Sequence, residues 1–175
     1  KIGMTGGAPF PVNDRDTFVG FLIHSWWWFH RNIPRFGEII ACKNVFDSIP
    51  ESSSVDEAFI QADLVKKGYK VVHVQEAHVH NKGPETVSDL IKQRRRIFNG
   101  HSRLFQDEKI RIDHMTKASI KLLLFKFKFK SLKELIWLGG GVMIEIYSRM
   151  LGFYDQYWNK LNPNIWDTAR TTKDL

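Results

Sequence analysis

Residues 55–100 read VDEAFIQADLVKKGYKVVHVQEAHVHNKGPETVSDLIKQRRRIFNG, and this stretch decides the fold. A helical run over residues 55–67 stops at Gly68, the residue type that most readily takes the left-handed backbone at a helix end. Residues 69–80 come next as a strand, rich in Val71, Val72, Val74 and Val79. Residues 81–84 form a loop. A second helix is predicted over residues 85–99, with Thr86 and Asp89 at capping spacing and Gly100 as its end. Short strands alternating with amphipathic helices point to a mixed α/β domain.

Working outward, residues 1–14 read as loop and short strand, broken by Pro9, Pro11 and Asn13. Asp14 or Asp16 is placed to cap a helix over residues 17–31. That helix holds Phe18, Phe21, Leu22, Trp26, Trp27, Trp28 and Phe29, so it is buried or lies against lipid. It is too short to span a bilayer. Residues 36–45 read as a strand centred on Ile39 and Ile40. Beyond residue 108 the character changes. Phenylalanines and lysines alternate over residues 125–130, and residues 132–154 are largely apolar but carry Glu134, Glu145 and Arg149. Those charges argue against a lone spanning helix. An amphipathic interfacial helix and a soluble helix pair closing the core both fit. The chain therefore divides into residues 1–108, an α/β part, and residues 109–175, a helical segment and tail.

The chain of 175 residues is long enough for one domain with a core. Its 43% hydrophobic and 26% charged content is that of a globular protein, not a disordered one. A net charge of +7 attracts phosphate, whether on nucleic acid, anionic lipid or nucleotide-sugar. The single cysteine, Cys42, excludes an internal disulfide. Residues 1–11 have no apolar stretch long enough for a signal peptide, and the chain opens abruptly without Met, so a preceding segment is expected.

Three clusters carry chemistry. Asp56 and Glu57 open a helix, where the local field favours an ionised carboxylate that can take a proton from a hydroxyl. Ser54 and Glu57 also have capping-box spacing, which would give Glu57 a purely structural task. Gln93 and Arg96 lie three residues apart on one helix face, opposite Val87, Leu90, Ile91 and Phe98. Such a pair can neutralise a diphosphate as it leaves, although a solvated basic face looks the same in sequence. His73, His78 and His80 alternate with other residues of the Val-rich strand. Their spacing matches no common zinc site, and His80, at the strand's end, is best placed to reach a site.

Taken in order, the carboxylate pair, Gly68-Tyr69, the Val-rich strand, Pro84-Glu85-Thr86 and Gln93-Arg94-Arg95-Arg96 resemble the acceptor side of the family-2 glycosyltransferases. Cellulose synthase, hyaluronan synthase and archaeal relatives belong to this group. The resemblance covers residues 3–101 and, more loosely, the tail. It implies the C-terminal half of a GT-A catalytic domain. Asp56 and Glu57 fall on the family's Thr-Glu-Asp motif, whose carboxylate deprotonates the acceptor hydroxyl in an inverting transfer; which of the two is the base stays open. Gln93 and Arg96 match the family's QxxRW motif, with Arg95 and His80 beside it, and Ile97 replaces its Trp. Gly37, Ala41 and Cys42 match the small residues that line the acceptor site.

The resemblance further implies a nucleotide-sugar donor and a lipid-linked or polysaccharide acceptor at the cytoplasmic face of a membrane. The family's nucleotide-binding βαβ half, with its Asp-x-Asp motif and Mn or Mg ion, has no counterpart here. Asp14-Arg15-Asp16 has the spacing but lies ahead of the Trp-rich helix, so no metal is assigned to it. Alone, the chain is expected to be inactive, and apolar surface left by a missing half implies self-association. Two other readings compete. One is a non-catalytic membrane-surface or interaction module derived from the same family. The other is a nucleic-acid-binding domain, ranked last because the Arg run is helical and the aromatics lie elsewhere.

Overall fold

A computed structural model describes residues 1–32, 38–46, 48–49, 55–108, 126–127, 129–159 and 170–172. Its architecture is mixed α/β. Strand β1 (Ile2–Pro11) leads into helix α1 (Phe18–Asn32), strand β2 (Ile40–Cys42), helix α2 (Asp56–Lys66) and strand β3 (Lys70–Asn81). Helices α3 (Val87–Glu108) and α4 (Leu132–Tyr154) complete the order, with a π-helical turn over Asp155–Asn159.

The three strands form one sheet in the order β2-β1-β3. β1 is the middle strand, antiparallel to β2 and parallel to β3. Its small residues, Gly3, Gly6, Gly7 and Ala8, are buried, as a strand covered on both faces requires. α2 packs Ile60 and Leu64 against Met4, with Tyr69 and Val71 alongside. α1 packs Phe21, Leu22 and Ile23 against Leu90 of α3 and against Trp137, Leu138 and Ile144 of α4.

Between Gly7 and Ala8 the ladder with β3 slips, so that Val74 and His78 face consecutive residues of β1. Residues 75–77 form a bulge, which bends the strand and re-aims residues 78–81. Gly7 makes room for it: a Cβ there would sit 2.6 Å from the carbonyl oxygen of Ala77.

Local signals explain most element ends. Gly68 has φ +80 and its amide bonds to the Val65 carbonyl, closing α2. The cap of α1 is Thr17, whose Oγ1 accepts the Gly20 amide at 3.1 Å. Asp14 and Asp16, the expected caps, form a turn ahead of it, with Asp14 Oδ1 accepting the Asp16 amide. Thr86 Oγ1 accepts the Asp89 amide at 3.2 Å, as the capping spacing predicts. The Asp89 carboxylate instead takes the amide and hydroxyl of Thr171, which hold it below the usual carboxylate range.

Three elements differ from expectation. Residues 2–11, expected as loop and short strand, form the 10-residue middle strand β1 in spite of Pro9 and Pro11. α3 runs through Gly100 to Glu108. Leu104 packs against Val55 and Ala58 of α2, and Ser102 donates to Gln156 at 2.7 Å. These contacts outweigh the roughly 1 kcal/mol that an interior glycine costs a helix. β2 spans only three residues, and Val87, expected on the apolar face of α3, is exposed.

Asn13 joins the two ends of the molecule that matter. It is buried, donates to the carbonyls of Gly83 and Pro84, and accepts the Gly83 amide at 2.8 Å. It thereby clamps the exit of β1 to the loop after β3 and sets where α3 begins.

Candidate functional site

The first turn of α2 sits against α3. Val55 and Ala58 pack on Leu104, two turns beyond Arg96, and bring Glu57 into the electrostatic reach of Arg96. Val55 occupies the cap position of α2 with no side-chain cap. Ser54 lies outside the described residues. Glu57 therefore stands one place short of the capping-box position, and its carboxylate bonds to its own backbone amide.

Burial pushes the Glu57 carboxyl above its usual range, and the neighbouring charges of Asp56 and Glu38 push the same way. The Glu57 amide and Arg96 oppose them. Arg96 is itself partly buried, which lowers its pKa, while Glu57 supports its charge. The pair is a carboxylate with raised proton affinity in the electrostatic field of a guanidinium. Asp56, one residue earlier, is exposed.

The three consecutive arginines are divided among different partners. Arg94 forks onto Glu145 of α4, Nε to Oε2 at 2.6 Å and Nη2 to Oε1 at 3.0 Å, and lies over the Trp26 ring. Arg95 forks onto the buried Asp155, which also accepts from Asn99 at 3.3 Å. Arg96 is coupled electrostatically to Glu57. The run is thus not a solvated basic stripe, and Arg95, expected at the leaving group, is held by the π turn that ends α4. Gln93 is half-buried on the same helix.

The remaining expected residues are scattered. Ala41 and Cys42 are exposed on β2, paired with Thr5 and Met4, and Gly37 lies outside the described residues. His80 is exposed on β3 opposite Phe10, its ring 5.9 Å from that ring. Two residues that no pattern marked join the centre. Glu38 adds its charge to the field at Glu57, and His30 Nδ1 lies 3.9 Å from Glu38 Oε1. Only the pairing of β2 with β1 brings residue 38 there, so no local signal could have found it.

Among the described residues no group of three or more His, Cys, Asp or Glu side chains is placed to hold a metal ion. The divalent cation expected of the intact enzyme has no ligand set among the described residues, and no step is assigned to one.

Residues 24–154 match the family model described as Glycosyl transferase family group 2. No curated protein and no solved structure matches the chain. The matched span runs from α1 to the end of α4 and contains the Glu57–Arg96 pair. The chain belongs to the family-2 glycosyltransferases.

Proposed function

We propose that this chain is the acceptor side of an inverting glycosyltransferase, with Glu57 as general base and Arg96 as leaving-group stabiliser. The observation that carries the reading is the placement of a half-buried carboxylate of raised pKa in the field of Arg96. Glu57 takes the proton of an acceptor hydroxyl. The oxygen attacks the anomeric carbon from the face opposite the diphosphate. The bond from that carbon to the phosphate oxygen breaks, and Arg96 meets the charge that develops there. Of the two candidate bases Glu57 is favoured, because Asp56 faces solvent.

The nucleotide is held by a unit of the GT-A type that these residues do not contain. The outer edge of β2 suits such a partner: Ile39 beside it is 58% exposed, and among the described residues no strand pairs with that edge. In the intact enzyme, Arg96→Gln should lower kcat about 10²–10³-fold with a smaller change in KM, because its bond strengthens as the leaving group gains charge. Steady-state kinetics with nucleotide-sugar checks this. A KM effect alone would remove Arg96 from the leaving group.

The acceptor is membrane-linked and the protein works at the cytoplasmic face of a membrane, in peripheral contact through α4. One face of this helix packs on α1 and α3. The other carries Leu132, Ile136, Met143 and Met150, continued by Trp158 in the π turn, each 64% to 72% exposed. Lys126, Lys130 and Lys133 flank its start, as anionic headgroups favour. No described helix is long and apolar enough to cross a membrane. The protein should sediment with anionic vesicles, and Ile136→Asp with Met143→Asp should release it. Dimerisation without vesicle binding would assign this face to a second copy instead.

A further inference from the structure

Arg31, in the last turn of α1, carries a charge that no acid among the described residues answers. Its Nη1 donates to the Pro9 carbonyl at 2.7 Å, and its guanidinium carbon lies 4.4 Å over the Phe10 ring. Among the described residues it has no ion pair. A guanidinium has five N–H donors, and among the described residues this one directs a single side-chain hydrogen bond at the protein. Burial lowers its pKa, so the charged form is held against a desolvation cost.

Two imidazoles share the same aromatic floor. The His78 ring lies 4.5 Å from Phe10 and the His80 ring 5.9 Å. His78 and His80 are both exposed. The β3 bulge creates this arrangement, since the slip at Gly7 sets His78 opposite Ala8 and His80 opposite Phe10. Gln75, inside the bulge, donates to the Arg31 carbonyl at 2.9 Å and ties the end of α1 to β3. A planar fork and two N–H-bearing rings around one apolar ring match a tetrahedral oxyanion, which offers three oxygens where a carboxylate offers two.

We propose that Arg31, His78 and His80, gathered around Phe10, form a phosphate-binding subsite separate from Arg96. The subsite adjoins the carboxylate centre through its neighbour in sequence, His30, which faces Glu38, itself in the field of Glu57. There it holds the phosphate of a phosphate-bearing acceptor, a role that rests on the glycosyl-transfer reading. The binding itself does not.

The test is equilibrium binding with the full 175-residue chain, without turnover. Inorganic pyrophosphate is titrated by calorimetry. In a second arm, flotation compares neutral vesicles with the same vesicles carrying a long-chain alkyl phosphate. Arg31→Gln should weaken phosphate binding about tenfold or more. The double variant His78→Glu with His80→Glu should do the same with an unchanged melting curve, so the test survives if Arg31→Gln does not fold. Lys66→Gln, at an exposed lysine of α2 outside both sites, should bind as wild type. A gain that depends on Arg31 in the alkyl phosphate arm assigns the subsite to lipid phosphate; a loss confined to pyrophosphate assigns it to a soluble ligand. Absence of binding by the wild-type chain overturns the proposal. So does wild-type binding by both the Arg31 and the histidine variants. Loss in Arg96→Gln alone would overturn the subsite while leaving the leaving-group assignment standing.

Discussion

Glu57→Gln should abolish sugar transfer by the intact enzyme while making the fold more stable at neutral pH. The two effects have one cause. Burial raises the Glu57 pKa from its usual 4.5, with Asp56 and Glu38 adding to the shift. A raised folded-state pKa means that the protonated form favours folding. That stabilisation is fully present below the unfolded pKa and is lost as pH rises through the folded one. At pH 7 the ionised side chain is therefore a net cost, and the neutral amide removes it. Removing a general base lowers turnover by about 10²–10⁴-fold. The pair of measurements is kcat with nucleotide-sugar and a thermal midpoint at pH 7, repeated below the unfolded pKa of 4.5, where the stability difference should vanish. A merely structural Glu57 would give no loss of turnover. If Asp56→Asn stops transfer while Glu57→Gln leaves it intact, the exposed carboxylate is the base.

The same shift governs the pH profile. The base acts ionised, so the acid limb of kcat/KM should lie above the ordinary carboxylate range. Arg96 opposes the upward shift, and Arg96→Gln should move that limb further up.

How much of this site is legible in sequence depends on which contacts are local. Residues 56–66 and 70–81 come close to their expected bounds, because helix periodicity, Gly68 and a run of valines act within a few residues of themselves. The apolar stretch 132–154 coincides with α4 for the same reason. The end of α3 is not legible: Gly100 signals a stop, while the contacts that override it come from residues 55–58 and 156. The arginine run shows the limit most clearly. Its residues look equivalent in sequence, yet Arg94 and Arg95 answer carboxylates 51 and 60 positions away, and Arg96 is coupled to the field of Glu57. Glu38, His30 and Arg31 gain their meaning only from the way β2 and the β3 bulge meet α1.

Glu145→Leu should cost about 3 kcal/mol of stability at pH 7, and most of that difference should disappear in strong acid. Glu145 accepts two bonds from Arg94 and one from Arg149, and its side chain is 23% exposed. Burial alone would raise its pKa, but the two arginines outweigh burial and bring it from 4.5 to about 2. A depressed carboxylate pKa contributes stability that is present above the unfolded value and is lost as pH falls through the folded one. The window is therefore from about 4.5 down to about 2. At about 1.4 kcal/mol per pH unit, that interval is worth at most roughly 3.5 kcal/mol, which partial exposure brings to about 3, in line with the about 3–5 kcal/mol seen when one partner of a buried pair is removed. Leucine also leaves Arg94 and Arg149 facing each other between the Trp26 and Phe98 rings, with no acid between them. Urea unfolding at pH 7 and at about pH 2 checks the size and its pH dependence. A loss below about 1 kcal/mol, equal at both pH values, would mean that the pair is solvated. The site should respond as well. Arg94 and Arg96 share one helix, and Glu145 and Asp155 hold that helix in place. Loosening it should lower kcat while leaving the acid limb set by Glu57 where it was, a split that loss of the base itself cannot produce.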